Sequence, residues 1–321
     1  MEIIMKRIFY IFYLLVILIL IVPGQKKADA LSNLENAPRV AAVLPSRDNL
    51  FWSDVWASLQ KNMPYASFHL TEYDYEISDT SDTKTLLQLL DLVENVSPNG
   101  LILAPHVTPS APLYQKLKAL REKGVKIVVL DTDIDAAYYD AFLGIDNTDT
   151  GKKMGQYLAA NLKPGQEVME IHNASSLSQA IEDRIDAFYS AVEQEGLSSR
   201  IHSLKISTKS PVEMQAILEA LKNTKNIRYL VTAGPIHTLY AASALKMEKL
   251  SPAVTVLGFG ETQEALEYVK QGEIEVLFMQ ENSQLGQRSV QIMEQLLQGE
   301  KTQKRYAIDV NLLTKQNLSY Q

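Results

Sequence analysis

The sequence predicts an α/β protein of two successive lobes, each a parallel sheet flanked by helices. The chain has 321 residues, which suggests two domains at roughly 100–200 residues each. Apolar runs of strand length alternate with amphipathic stretches of helix length, which is the pattern of βαβ units. Hydrophobic residues make up 46% and charged residues 21% of the chain, so wholesale disorder is excluded.

The first lobe is predicted to contain four strands and three helices. Apolar runs indicate buried strands, and apolar residues spaced three and four apart indicate helices. Pro105 closes the third strand, Asp82 is the expected N-cap of the second helix, and Gly124 ends the third helix. The expected strands cover 39–44, 67–73, 100–104 and 125–131, and the expected helices cover 50–62, 82–96 and 112–123.

The second lobe repeats the same alternation over a similar length of chain. Its last helix is ended by Gly299, and no low-complexity tract or repeat of 20–50 residues interrupts the pattern. The expected strands cover 167–171, 201–206, 228–232, 254–258 and 274–280, and the expected helices cover 178–195, 211–223, 235–249, 262–271 and 285–297.

The N-terminal 30 residues predict export of the remaining chain. Lys6-Arg7 precedes fifteen uninterrupted apolar residues, Ile8–Val22, which is the pattern of a secretory signal. Ala28-Asp29-Ala30 offers a cleavage site, whereas an uncleaved anchor would leave the protein tethered to the membrane. Both alternatives place the rest of the chain outside the cytoplasmic membrane. Residues 31–38 are expected to form a short linker before the first lobe.

Composition excludes several functional classes. The net charge is −7 and no Lys/Arg cluster follows the leader, so nucleic acid is not an expected partner. The chain has no Cys, and its five His residues lack HxxxH or HExxH spacing, so no metal or cofactor is expected. There is no GxSxG elbow. Asp131 and Asp133 could serve a glycosidase, but binding of ligand hydroxyls is the favoured interpretation, and the protein is not expected to be an enzyme.

Polar and aromatic residues follow the predicted strands, where ligands bind in open parallel sheets. Asn49, Phe51 and Trp52 follow the first strand, and Asp131 ends the fourth. Carboxylates and amides bond hydroxyl groups, and aromatic faces stack on the C–H face of a sugar ring. These residues therefore predict a small polyhydroxylated ligand.

Six short motifs in order carry a family resemblance. They are 48-DNLFW-52, 128-VVLD-131, 144-GIDN-147, Arg184 four residues before Phe188, 256-VLGF-259, and Gln280. With them the chain resembles the type I periplasmic binding proteins, specifically the ribose/galactose-type sugar-binding proteins, over about residues 38–315. The ligand domain of lactose-repressor-type regulators shares that fold.

The resemblance implies a ligand site and a division of the chain. The implied ligand-binding residues are Asn49, Phe51, Trp52, Asp131, Asn147, Arg184, Phe259 and Gln280. Two Rossmann-like lobes are then expected to be joined by three hinge crossings near 146, 280 and 309. The first lobe comprises 39–145 plus 281–308, and the second comprises 146–280 plus 309–321.

The sequence departs from the family pattern at three polar positions. An Asn-Asp pair of the family is Gly234-Pro235 here, the Asp of its Gly-Phe-Asp strand end is Gly260, and an Arg that follows the first-lobe Asp is Thr132. Losing these partners of sugar hydroxyls predicts a ligand other than ribose or galactose.

The resemblance implies a receptor that closes its lobes on a sugar-like ligand, with a monosaccharide expected, and presents the closed form to a membrane partner. That partner is either an ABC transporter permease, which would make the protein a delivery component, or a sensor histidine kinase, which would make it a sensor. A non-sugar signal molecule is the alternative ligand. Asp131 and Arg184 are expected to bind one ligand from opposite lobes. Trp52 is expected to stack on that ligand, so that Trp52→Ala should weaken binding markedly while lowering the stability of the fold little.

Overall fold

The computed structural model describes residues 37–76, 83–107, 109–173, 179–206 and 212–318. The expected leader, most of the linker and the expected N-cap at Asp82 lie outside these residues. Within them, no helix combines the length and apolar character that a membrane span requires.

The first lobe begins as five strands alternating with three helices. The order of elements along the chain is β1 (Arg39–Pro45), α1 (Leu50–Asn62), β2 (His69–Tyr75), α2 (Lys84–Val96), β3 (Gly100–Leu103), α3 (Ala111–Glu122), β4 (Lys126–Leu130) and β5 (Ala141–Gly144). Each predicted element is present within a few residues of its expected bounds. Strand β5 was not predicted, because its four residues are too few to show a pattern.

The second lobe follows with the same alternation. Its elements are α4 (Asn147–Asn161), β6 (Glu167–Asn173), α5 (Gln179–Gln194), β7 (Ile201–Ile206), α6 (Val212–Asn223), β8 (Ile227–Thr232), α7 (Pro235–Met247), β9 (Thr255–Phe259), α8 (Gln263–Gln271) and β10 (Ile274–Gln280). The chain then returns through α9 (Asn282–Leu297), β11 (Arg305–Ala307) and β12 (Val310–Leu313).

The strands form two separate six-stranded sheets. The first has the order β11-β5-β4-β3-β1-β2, and the second has the order β12-β10-β9-β8-β6-β7. Their pairings are parallel except that of β12 with β10, which is antiparallel. This exception follows from the path of the chain, which leaves the second sheet at Gln280 and re-enters it at Val310, directly opposite. The predicted fold class of two mostly parallel α/β sheets flanked by helices is confirmed.

The three passages of the chain between the sheets lie side by side. The amide of Ile308, which follows β11, donates to the carbonyl oxygen of Gly144 at the end of β5, with a separation of 2.9 Å. The side-chain amide of Asn311 in β12 donates to Glu281 Oε1, which follows β10, at 3.1 Å. The passages after β5, β10 and β11 therefore form one connected hinge.

Apolar side chains on both faces of each sheet explain why these runs became strands. Val40, Ala42 and Leu44 of β1 pack with α1 on one face, and Ala41 and Val43 pack with α2 and α3 on the other. A strand that is buried on both faces has a continuous apolar sequence, which is typical of parallel sheets covered by helices.

Helix α9 returns to the first lobe and packs closely against α1. A Cβ atom at Gly286 would lie 2.5 Å from the backbone nitrogen of Leu59, so only glycine allows this approach. The hydroxyl of Ser58 donates to the carbonyl oxygen of Ser283 at 2.5 Å. The helix that begins at Asn49 and the helix that follows the hinge are thereby joined.

Candidate functional site

Two residues at the ends of neighbouring strands of the first lobe have left-handed backbone conformations. His106 follows β3 with φ of 23°, and Asp131 follows β4 with φ of 63°. Such conformations are uncommon outside glycine and persist where the surrounding structure holds them, frequently at binding sites. Both side chains are thus held at the carboxyl edge of the sheet.

The Asp131 carboxyl group lies in a dehydrated environment. Burial raises its pKa, while His106, Arg184 and a hydrogen bond from Thr132 Oγ1 at 3.2 Å act in the opposite direction. Burial likewise lowers the pKa of His106, and Asp131 opposes that shift. Each group therefore favours the charged form of the other.

Arg184 of α5 is the centre of the second-lobe part of the site. Its side chain is buried, with Nη2 donating to Asn147 Oδ1 at 2.5 Å and Nη1 donating to the carbonyl oxygen of Ala233. Its Cζ atom lies 3.5 Å from the centroid of the Phe259 ring, which is a cation–π contact. These contacts fix the plane of the guanidinium group.

The charge of Arg184 acts across the boundary between the lobes. Burial lowers the pKa of Arg184 to about 9, and the charge of Asp131 in the first lobe opposes this shift. A pKa of about 9 keeps the guanidinium charged at neutral pH. The structure therefore brings together four of the predicted site residues, namely Asn147, Arg184, Phe259 and Asp131.

The aromatic pair lies at the start of α1. The rings of Phe51 and Trp52 meet edge to face with centroids 4.9 Å apart, and Trp52 meets His106 in the same way at 6.3 Å. Asn49 caps the helix, since its Oδ1 accepts from the backbone amides of Phe51 at 3.0 Å and Trp52 at 3.4 Å. Its amide nitrogen carries the donors that remain for a ligand.

Trp52 has a larger structural role than its sequence position predicts. Its side chain is 1% exposed and packs in the core of the first lobe with Leu44 and Val55. Phe51, in contrast, is half-buried and lines the space between the lobes. This burial contradicts the expectation that Trp52 contributes little to stability, because deletion of a buried ring leaves a cavity in the core.

Several buried polar atoms of this region have no hydrogen-bond partner among the described residues. They are His106 Nδ1, Arg184 Nε, Gln280 Nε2 and Asn282 Oδ1. Gln280 is 1% exposed and ends β10, at the hinge. Buried polar groups are normally bonded, whereas these atoms from both lobes and the hinge lack partners among the described residues.

A cavity of about 400 Å³ opens between the lobes, and of the predicted site residues Asn49 and Phe51 line it. Its first-lobe side is formed by Ser46, Asp48, Asn49, Phe51 and Glu76. Its second-lobe side is formed by the start of α7 together with Thr262. This volume is within the range of small-molecule sites, roughly 300–1,000 Å³. Within the described part of the chain, no three His, Asp or Glu side chains are grouped so as to hold a metal ion.

His106 was absent from the residues predicted for the site. Its position after a strand was the only sequence signal, and an isolated His carries no spacing pattern. The hydroxyl of Tyr75 supports the same loop by donating to the carbonyl oxygen of Ala104 at 2.7 Å. A long-range contact of this kind leaves no mark in the local sequence.

The burial difference between the two aromatic residues predicts opposite effects of mutation. Phe51→Ala should weaken ligand binding while changing stability little, because the ring faces the cavity. Trp52→Ala should lower the free energy of unfolding by about 3–5 kcal/mol, the usual cost of deleting a buried aromatic ring. Urea denaturation and titration calorimetry on both variants measure the two effects. A stable Trp52→Ala protein would contradict the core assignment.

The comparisons with known proteins agree with this arrangement. Residues 40–301 match the family model described as a periplasmic binding protein domain. The ribose import binding protein RbsB of Salmonella typhimurium is 24% identical over 286 residues, which is 86% of this chain and 90% of that protein.

Two solved structures have the same fold. A carbohydrate transporter solute-binding protein of Agrobacterium radiobacter, in complex with D-arabinose, superposes with a TM-score of 0.77 at 20% identity, covering 88% of this chain and 96% of that one. A chain of the XylFII–LytSN complex superposes with a TM-score of 0.74 at 19% identity, covering 87% and 98%.

The family match spans most of the chain, and the relatives described above are named for binding and import rather than for catalysis. The protein is accordingly a binding protein and not an enzyme, and its family implies an extracytoplasmic location. The chain belongs to the periplasmic binding protein domain family.

Proposed function

We propose that this protein is an exported receptor that closes its two lobes on a small hydroxylated, sugar-like ligand. The observation that carries the proposal is the set of unpartnered polar atoms contributed by both lobes and the hinge, His106 Nδ1, Arg184 Nε and Gln280 Nε2. Hydroxyl groups of a ligand match the chemistry of each of these atoms, since a hydroxyl both donates and accepts.

The chemistry of the two sides is complementary. Asp131 supplies an acceptor from the first lobe, and Arg184 supplies donors from the second. A ligand that bonds both groups binds the closed arrangement better than an open one, and this difference in affinity is what drives closure. Phe51 offers an aromatic face to the apolar side of a sugar ring.

The relatives support a sugar as the ligand class. RbsB of Salmonella typhimurium is named for ribose import, and the Agrobacterium radiobacter protein was solved with D-arabinose. The residues at 132, 234 and 260 lack the polar side chains of the family pattern, which favours a ligand other than ribose or galactose. Asn49 and Asn147 complete the proposed site, and Trp52 supports it from the core of the first lobe.

The receptor is proposed to present its closed form to a membrane partner. An ABC transporter permease and a sensor histidine kinase are the two candidates, and the XylFII–LytSN complex is an example of this fold assembled with a second protein. Adjacent genes for a transport ATPase and permease would support delivery of the ligand. An adjacent sensor kinase gene would support sensing.

A ligand screen tests the proposed function. Pentoses and hexoses are added to the purified full chain, and the melting temperature is measured, followed by calorimetry and small-angle scattering with any sugar that binds. A bound sugar should raise the stability by about 2.7 kcal/mol at a hundredfold excess over its Kd, and it should reduce the radius of gyration. Absence of any sugar response would contradict the proposal and leave a non-sugar signal as the ligand.

The leader predicts where the folded chain is found. Protease added to spheroplasts should digest the lobes, because the apolar segment Ile8–Val22 directs export. N-terminal sequencing of the native protein then separates cleavage near Ala30 from a retained anchor. Complete protection from protease, together with a cytosolic fractionation pattern, would contradict export.

A further inference from the structure

The second-lobe side of the cavity presents an apolar surface to the ligand space. Pro235, Ile236, Leu239 and Tyr240 line the cavity from the first two turns of α7, and we call these four residues the apolar wall. Ile236 is 50% exposed. An exposed aliphatic side chain at the mouth of a binding cleft is available to contact an apolar group.

The apolar wall is fixed by a contact that excludes a side chain at position 260. A Cβ atom there would lie 2.5 Å from Pro235 Cβ, and Gly260 has φ of +121°, a conformation that other residues rarely adopt. Pro235 and Gly260 are therefore one packing unit. A polar side chain at 260 would require Pro235 and the backbone to move.

The apolar wall is continuous with the part of the site that holds Arg184. The carbonyl oxygen of Ala233, which bonds Arg184, lies two residues before Pro235, and Phe259, which stacks on Arg184, directly precedes Gly260. Arg184 itself lies outside the cavity, but its two partners lie one and two residues from the Gly260–Pro235 contact, so a ligand that spans the cavity and Arg184 passes the apolar wall.

The first-lobe side of the cavity has the opposite character. Ser46, Asp48, Asn49 and Glu76 supply polar groups, and neither Lys nor Arg is among the described residues that line the cavity. Two carboxylates without a cation favour a ligand that donates hydrogen bonds and disfavour an anionic one. The lining of the cavity is therefore polar and negative on the first-lobe side and apolar on the second-lobe side, and the cation Arg184 lies outside this lining.

We propose that the ligand is an uncharged glycoside with an apolar aglycone, whose sugar ring lies at Arg184 and whose aglycone packs on the apolar wall. This inference rests on the proposed function as a sugar-class receptor and specifies the substituent that the receptor selects. The cavity of about 400 Å³ provides room for a group beyond a single ring.

Matched glycosides test the inference. Methyl and phenyl glycosides of xylose, arabinose, glucose and galactose, in both anomers, are titrated by calorimetry against the full chain, with glucuronic acid as the anionic control. The protein is kept in a zwitterionic detergent, because alkyl maltosides are themselves glycosides with apolar tails. We expect the phenyl glycoside of the preferred sugar to bind at least about tenfold more tightly than the methyl glycoside, because the phenyl ring buries apolar surface against the apolar wall.

Variants of the wall measure the source of that preference. Ile236→Ser and Leu239→Ser should each reduce the ratio of phenyl to methyl affinity toward one. Met247→Ser, an exposed position at the far end of the same helix, should leave the ratio unchanged. Ile236 is exposed, so its replacement does not threaten folding.

The outcomes separate this inference from the proposed function. If a free or methylated sugar binds and its phenyl glycoside binds no better, the aglycone site is wrong and the receptor function stands. Tight binding of glucuronic acid, or a preference that survives both wall variants, would also overturn the inference. If no sugar and no glycoside binds, the proposed function fails and the inference fails with it.

Discussion

Replacing Arg184 with methionine should weaken ligand binding by about 10- to 100-fold and abolish the compaction that ligand causes. A hydrogen bond to a charged group contributes about 1.5–3 kcal/mol, and every 1.4 kcal/mol is about tenfold in affinity. Arg184 is also the donor that the second lobe offers opposite Asp131. Without it, a ligand has less reason to favour the closed arrangement.

Replacing Arg184 alone leaves Asp131 and the carbonyl oxygen of Ala233 without their partner, and removing one member of a buried charged pair costs about 3–5 kcal/mol. The melting temperature of the unliganded variant should therefore fall, and affinity is measured at a temperature at which circular dichroism shows the variant to be folded. Arg184→Lys keeps the charge without the planar fork and should recover part of the affinity. Asp131→Asn, which keeps the shape of the acceptor without its charge, should also reduce compaction.

Arg228→Met is the matched control in the same lobe. Arg228 lies at the start of β8, at the amino-terminal ends of the strands of the second sheet, whereas the proposed site lies at their carboxyl ends. It pairs with Glu275 at 2.5 Å. Its loss should remove a partly exposed ion pair and leave ligand affinity unchanged. Calorimetry and small-angle scattering on the four variants give the comparison. Wild-type affinity and compaction in Arg184→Met would remove this residue from the site.

Gly286→Ala should cause the largest loss of stability among single-methyl additions to the first lobe. The added Cβ atom would meet the backbone nitrogen of Leu59 at 2.5 Å and also the carbonyl oxygen of Val55. Backbone atoms of a helix cannot move aside as a flexible side chain can, so α9 must shift as a body. We expect a loss of about 3 kcal/mol, the upper part of the range for overpacked cores.

Gly234→Ala is the control for Gly286→Ala. A Cβ atom at Gly234 would be no closer than 3.8 Å to Ile181 Cδ1, and glycine is a modest N-cap residue, so the cost should stay below about 1 kcal/mol. Urea denaturation of both variants gives the two free energies. Equal stabilities of the two variants would contradict the prediction, since they would mean that the space between α1 and α9 accommodates a Cβ atom at position 286.

The order of strands and helices could be predicted from the sequence because each element carries its own local pattern. Strand β10 was predicted at its observed bounds because its sequence is mostly apolar, and in the structure all seven of its residues are buried or partly buried. Strands β5, β11 and β12 were not predicted. They have three or four residues each, and their pairing depends on distant partners.

The site was only partly predictable for a similar reason. Arg184 could be proposed from its motif, but its bonds to Asn147 and the carbonyl oxygen of Ala233 join residues 37 and 49 positions away. The sequence pattern could not separate Phe51 from Trp52, because an aromatic pair at a helix start looks the same whether it faces ligand or core. Burial in the fold distinguishes them.

The side-by-side hinge limits how the lobes can move. Three passages tied to one another, by Ile308 to Gly144 and by Asn311 to Glu281, resist twisting and sliding, and they leave bending about a common axis as the easy motion. Lobe closure is then described by a single angle. If the lobes close as proposed, the size of the ligand between them would set where that angle stops, and the distance between the outer ends of the lobes would then change with ligand size.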